Sequence, residues 1–345
     1  MGWKAKFISK VGRETLIKTV AQVIPTYSMG IFKILKALCD TINSTLAKYW
    51  WGQTKNEKKI HWINWKKLCN PKEMGGMGFR DIHALNLALL AKQTWWLIHQ
   101  NHSLFFRVYK AQYFPNCLFM EAELGNNPSY VWRSLLAARD ILKERAQWKV
   151  GDGQSIRVSA HRWLSHKPIF LGEQRHNLMV KDLIDVHTFQ WDREKIHDLF
   201  VFAHRTRMEI LSIPLQSNPT RDVLVWNENK SHSFSVKSAY QVAIRLQELN
   251  QVEHSTAGKD RTHWRKIWKL NVPPKVCNFI WRACSNILPT RESLHRRRVN
   301  VDARCELCCL STTRIGRSFA VGVSFCKKRM GLMSRENPKM PKRSQ

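Results

Sequence analysis

The chain of 345 residues carries 57 lysines and arginines against 26 aspartates and glutamates, a formal net charge of +31. With 43% hydrophobic residues it has the apolar material for a core, which excludes wholesale disorder and at this length points to two or three domains. So large a cationic excess goes beyond what small-molecule chemistry requires and fits a polyanionic partner, nucleic acid first of all.

No apolar run approaches the roughly 18 residues of a membrane-spanning helix. The opening Met1-Gly2-Trp3-Lys4-Ala5-Lys6-Phe7 lacks the apolar stretch and small-residue cleavage site of a secretory leader. The expectation is a soluble intracellular protein with no membrane partner. Nine cysteines, an odd number and mostly isolated, read as reduced thiols and not as a disulfide framework. Tryptophan is as abundant as glycine, and many of the 15 tryptophans adjoin Lys or Arg.

In chain order, Leu16, Val20 and Ile24 recur every four residues until Pro25 stops the helix, and Leu38, Ile42, Leu46 and Trp50 repeat the pattern. Residues 50–79 form a basic, loop-rich connector with Trp51, Trp62 and Trp65, closing on Pro71-Lys72-Glu73-Met74-Gly75-Gly76-Met77-Gly78-Phe79. Those glycines suit turns, but they lack the spacing and the preceding strand of a phosphate-binding loop. Ala84 to Ile98 is densely apolar with helical period, Leu104 to Phe119 is aromatic-rich, and Ser129 is placed to cap a helix carrying Trp132, Leu135, Leu136 and Ile141. These stripes read as core.

The period changes at Trp148. Residues 148–158 predict a hairpin turning at Gly151-Asp152-Gly153, and residues 165–220, with Pro168, Pro214 and Pro219, read as a variable connector with short helical pieces. A second hairpin is expected from Asp222–Trp226 to Ser233–Val236, then a helix from about Ser238 to Leu249 and a linker over 251–260. Trp264, Ile267 and Trp268 have i, i+3, i+4 spacing. Pro273-Pro274 opens a helix on which Val276, Phe279, Ile280 and Ala283 mark an apolar face, and Pro289-Thr290 starts a short helix running into Arg296-Arg297-Arg298. After Ser311 periodicity disappears, and nine Lys and Arg face Glu336 alone, the composition of a disordered basic tail.

Several of these strings resemble one family in order. Gly12-Arg13-Glu14-Thr15-Leu16-Ile17-Lys18, Ile24-Pro25-Thr26-Tyr27, Trp50-Trp51-Gly52, His61-Trp62, Gly75 to Asp81, Asn86 to Gln93, Tyr113-Phe114-Pro115, Pro128 to Arg133 and Gly151-Asp152-Gly153 are similar to the region after the polymerase core of plant-type LINE (non-LTR retrotransposon) reverse transcriptases. Phe234 to Tyr240, Trp264 to Trp268, Pro273 to Val276, Phe279 to Arg282 and Leu288-Pro289-Thr290 resemble the reverse-transcriptase zinc-binding domain of such elements. The resemblance covers roughly residues 3–308 and is weakest over 160–225.

It implies an α+β, predominantly helical chain in four parts: 1–147, a helical region like the post-palm thumb and connector; 148–225, hairpin and variable connector; 226–310, a truncated zinc-binding-like module; and 311–345, the tail. The family's polymerase site carries paired aspartates, and no two aspartates are adjacent in this chain. Two-metal chemistry needs such closely placed carboxylates, so neither polymerase nor nuclease activity is expected. Cys305 and Cys308, a C-x-x-C, supply half of a tetrahedral zinc site. The family's further His and Cys do not follow in register, Cys309 and Cys326 are poorly placed, and the expectation is an incomplete zinc site and no resident cofactor.

For nucleic acid, cations meet phosphates and exposed aromatics stack on unpaired bases. Two stretches combine both: Lys58, Lys59, Trp62, Trp65, Lys66 and Lys67, and Arg265 and Lys266 with Arg296, Arg297 and Arg298. The helical company of Trp62, Trp65, Trp264 and Trp268 favours core packing for those rings. The resulting expectation is a non-catalytic fragment of retrotransposon origin that binds RNA or DNA independently of sequence. The alternatives are the inert product of a decayed copy, and an accessory part working with a polymerase core supplied in trans.

Overall fold

The computed structural model describes residues 8–54, 57–171, 177–185, 187–200, 204–215, 220–249 and 261–301. Side-chain caps set at least half of the fourteen α-helix starts among the described residues. Ser9, Asn64, Asp81, Ser103, Ser129, Asp192 and Thr290 each accept a backbone N–H from two or three residues on, satisfying donors that the first helical turn leaves unpaired.

The helices are α1 (Lys10–Leu16), α2 (Thr26–Met29), α3 (Lys36–Trp51), α4 (Trp65–Cys69), α5 (Ile82–His99), α6 (Leu104–Tyr113), α7 (Tyr130–Ala137) and α8 (Arg139–Arg145). After strand β1 (Ala146–Lys149) come α9 (Arg193–Leu199), α10 (His204–Ser212), strand β2 (Val223–Trp226), α11 (Val236–Leu249), α12 (Arg261–Trp268), α13 (Pro274–Cys284) and α14 (Arg291–Arg296). The chain is α+β and predominantly helical. Its described residues group into two compact units that interleave along the sequence, one from within 1–19, 44–79 and 256–345, the other from within 20–43 and 80–255.

In the larger unit α5 is the hub. Its small residues Ala84, Ala88 and Ala91 are fully buried and cluster with Ala239, Val242 and Ala243 of α11, where the absence of bulky side chains lets the helices approach closely. Asn86, wholly buried on the same helix, donates from Nδ2 to the carbonyls of Met29 and Phe32 (2.7 and 2.8 Å) and accepts the Ile34 N–H at Oδ1 (2.8 Å). A buried amide is stable only when satisfied in this way, and here it fixes the turn after α2. A second cluster surrounds Trp132, which lies flat on Tyr113 and Phe114 with ring centroids 4.6 and 5.7 Å away.

The two hairpins expected from the sequence do not form. β1 pairs antiparallel with β2, some 75 residues away, in the register Ala146↔Trp226 to Lys149↔Val223. The reason lies in the Gly-Asp-Gly segment. The N–H groups of Gly151, Gly153 and Ser155 all point to the carboxylate of Asp222 at 2.7, 3.0 and 2.8 Å. The chain wraps that carboxylate instead of turning back as a strand, and Arg157 then bridges to Met179. After β2 the Trp226 N–H is donated to His232 O (3.2 Å), and α11 begins at Val236, two residues earlier than expected.

A core of its own runs from the segment just before the stretch read as a variable connector into that stretch. Ile156, Val158, Trp163, Leu164, Val180, Leu183, Ile196, Phe200 and Ile210 are buried together. Their spacing follows neither a helical nor a strand period, which is why pattern alone does not reveal them.

Because one carboxylate holds three backbone donors, Asp222→Ala is expected to lower the unfolding free energy by about 2–3 kcal/mol. Urea denaturation checks this; a wild-type midpoint would show that the loop holds its shape without Asp222.

Candidate nucleic-acid interface

Charge divides unequally between the units. Among the described residues the smaller unit has 19 lysines and arginines against four glutamates, while the larger has 23 against 16 acidic residues. Every sequence-selected cation lies in the smaller unit.

Helix α4 separates its two jobs by geometry. Trp65, Leu68 and Cys69, at i, i+3 and i+4, are buried, and Lys66 and Lys67 between them are exposed. Trp65 is 9% exposed and stacks on Phe79 with centroids 5.0 Å apart at 10°. It is a core residue, and its selection as a base-stacking ring is corrected: its face is already occupied.

Lys58 and Lys59 are exposed in the segment leading to α4, with Lys59 ion-paired to Glu57 (2.8 Å). Trp62 is half-buried and its ring is covered by the Arg297 guanidinium, 5.1 Å from the ring centroid. Arg297 also donates to the carbonyls of His61 (3.0 Å) and Trp62 (2.8 Å). The two basic stretches therefore meet at this residue, through bonds that span more than 230 residues of sequence. Arg296 and Arg298 flank it, both exposed.

Arg265 and Lys266 are exposed on α12, while Ile267 is buried and Trp264 and Trp268 are half-buried. The glycine-rich loop docks on these rings. Trp281 Nε1 donates to Gly75 O (2.9 Å), and Lys72 sits over Trp268 at 4.2 Å while pairing with Glu14 at 2.7 Å. Gly76 admits no side chain, since a Cβ there would lie 2.0 Å from Asn70 O.

Sequence reasoning missed a further cationic cluster, Lys10, Arg13 and Arg282, joined only by folding. Lys10 Nζ donates to Trp50 O (2.6 Å) and lies 4.9 and 5.0 Å from the ring centroids of Trp50 and Trp51. Arg13 donates to the same carbonyl (3.4 Å). The two cations thus cap the C-terminus of α3, where unpaired carbonyls concentrate negative potential. Gly52 follows with φ +77°, and a Cβ there would meet the Arg13 guanidinium. Burial first, then repulsion from Arg13 and Arg282, lowers the Lys10 pKa to about 7.

Cys305 and Cys308 lie outside the described residues. Among those described, no three His, Cys, Asp or Glu side chains are placed to hold a metal. His295, the last histidine in the chain, is exposed and has Nδ1 3.3 Å from Val301 O. The described residues therefore do not make up a zinc donor set. None of the described helices is long and apolar enough to cross a membrane.

Comparison with known proteins places this geometry. Residues 234–320 match the family model described as zinc-binding in reverse transcriptase, a segment that includes α11 in one unit and α12–α14 in the other. Over 317 residues the chain is 31% identical to an Arabidopsis thaliana protein described as a ribonuclease H protein, which covers 89% of this chain and 50% of that one. Over 142 residues it is 42% identical to an uncharacterized mitochondrial protein of the same plant, 41% of this chain and 92% of the relative. The chain thus belongs to the retrotransposon-derived, reverse-transcriptase-related proteins, and spans about half the length of the relative described as a ribonuclease H protein.

The Lys10 environment gives a signed pH effect. Above about pH 7 the folded chain has released a proton that an unfolded lysine keeps until near 10.5, so folding gains stability as pH rises through that window. Thermal melts of wild type against Lys10→Met are expected to shift in favour of wild type between pH 7 and 10. A difference independent of pH would remove the buried-cation account.

Proposed function

We propose that this chain is a non-catalytic, sequence-independent nucleic-acid-binding part of a reverse-transcriptase-derived protein, holding RNA or DNA through its phosphates. The observation that carries the reading is the joining of two distant basic stretches at Arg297 in a unit with 19 cations against four acidic residues. Exposed Lys58, Lys66, Lys67, Arg265, Lys266, Arg296 and Arg298 supply the charge, and counter-ion release from the bound strand supplies the affinity. Arg297 and Trp62 act by joining the segments, because each occupies the other. The non-catalytic part of the reading rests on the absence of adjacent aspartates anywhere in the sequence.

The test is binding of a labelled hairpin RNA and a single-stranded DNA across a salt series. Affinity is expected to fall steeply with salt. The combined variant Lys66→Ala, Lys67→Ala, Arg296→Ala, Arg298→Ala is expected to flatten the single-strand slope by about 3, near 0.7 per lost phosphate contact. A folded chain that fails to bind at low salt, or a variant with the wild-type slope, would overturn the reading.

A further inference from the structure

Helix α13 is turned differently from its apolar pattern. Val276 and Phe279, expected to face the core, are 41% and 56% exposed, whereas Cys277, Asn278 and Trp281 are buried. The Trp281 bond to Gly75 O fixes this rotation, and it carries a polar row with it. Lys275, Asn278, Phe279 and Arg282 follow one another at i, i+3, i+4 and i+7, and so share one face of the helix. Opposite them α1 presents Ser9, Lys10 and Val11. These seven residues line a cavity of about 350 Å³.

The lining is cationic and short of acceptors. Lys275 and Arg282 contribute two positive charges and Lys10 a third below about pH 7, Arg13 stands close enough to repel it, and no carboxylate lines the cavity. Asn278 is only 4% exposed, yet its Nδ2 has no hydrogen-bond partner among the described residues, and neither has the buried Nε of Arg282. A buried amide nitrogen left without an acceptor loses its water hydrogen bonds with nothing in return. Acceptor oxygens entering the cavity remove that cost and offset the crowded positive charge.

We propose that this cavity is a phosphate site. Lys10, Lys275 and Arg282 attract the phosphate group, the side chains of Asn278 and Arg282, whose Nδ2 and Nε have almost no accessible surface in the free chain, turn to donate to its oxygens, and the exposed ring of Phe279 takes the adjoining base of a single strand. The nucleic-acid source rests on the function proposed above; the phosphate chemistry stands on the cavity itself. The depressed Lys10 pKa agrees with a pocket that lacks its counter-ion. Around Lys10 the facing groups are Arg13 on its own helix, Lys275 and Arg282 on α13, and the Trp50 carbonyl on α3.

The experiment uses the full chain with two probes, inorganic phosphate read by thermal shift and a short single-stranded DNA with a 5′-hydroxyl or a 5′-phosphate. Phosphate is expected to raise the melting temperature of wild type, and Asn278→Leu to abolish the rise. Asn278→Leu alters no charge, so DNA affinity is expected to drop about fivefold or more with the salt slope unchanged. Should that variant fail to fold, Lys275→Ala, at an exposed rim position, decides: a smaller thermal shift and at least about threefold weaker DNA binding are expected. Phe279→Ala is expected to weaken binding to DNA several-fold while leaving the phosphate shift intact. Preference for the 5′-phosphate marks a strand-end site, and equal binding of both strands marks an internal backbone site. DNA binding with no phosphate shift and no effect of Asn278→Leu or Lys275→Ala would overturn the cavity assignment alone. A phosphate shift sensitive to both variants, without DNA binding, would keep the cavity and overturn the nucleic-acid reading.

Discussion

One hydrogen bond, from the Trp281 indole to the carbonyl of Gly75, ties residues 206 positions apart and organises the smaller unit. Gly75 accepts it because the loop turns sharply there, and the turn persists because Gly76 has no Cβ to strike Asn70 O. The loop thereby presents Lys72 to Trp268, and α13 is held in the rotation that buries Asn278 and turns Phe279 outward. The unit is built from three separated segments, so each depends on contacts with the others for its stability. Loop closure over such separations is entropically costly, and only a buried, aromatic-rich junction of this kind offsets it.

A consequence is that cations in this unit are of two kinds. Lys66, Lys67, Arg265, Lys266, Arg296 and Arg298 are exposed at the surface. Lys10 is drawn against the Trp50 and Trp51 rings, and it and Arg13 both donate to the carbonyl end of α3. Arg282 belongs to neither group, since its buried Nε has no partner among the described residues. Composition counts all of them alike, although partial burial changes both the proton affinity and the task of each.

How far the fold was legible varies by element. α5 and α7 could be read because their apolar residues follow a helical period, and Ser129 marked the start of the second. The β1–β2 pairing could not, since local signals favoured a turn at Gly151-Asp152-Gly153 and a hairpin from Asp222–Trp226 to Ser233–Val236, whereas the partner that decides the matter, Asp222, is about 70 residues from that first turn. The core around Ile156, Trp163 and Phe200 escaped for the same reason: its members come from short, aperiodic segments that become neighbours only after folding. At the candidate interface the basic residues were readable from charge clustering, but the burial of Trp65 and the covering of Trp62 by Arg297 were not.

By itself the sequence determined the helical character, the cationic balance and the kinship with retrotransposon reverse transcriptases, because those reside in residue types, local periods and ordered motifs. Tertiary structure alone decided where the charge lies and which face of α13 looks outward. It gathered most of the excess charge into one unit, joined His61 and Trp62 to Arg297, and set Lys10 against Lys275, Asn278 and Arg282. The physical reason is that charge and periodicity are properties of neighbours along the chain, while burial, hydrogen-bond satisfaction and cavity shape are properties of neighbours in space.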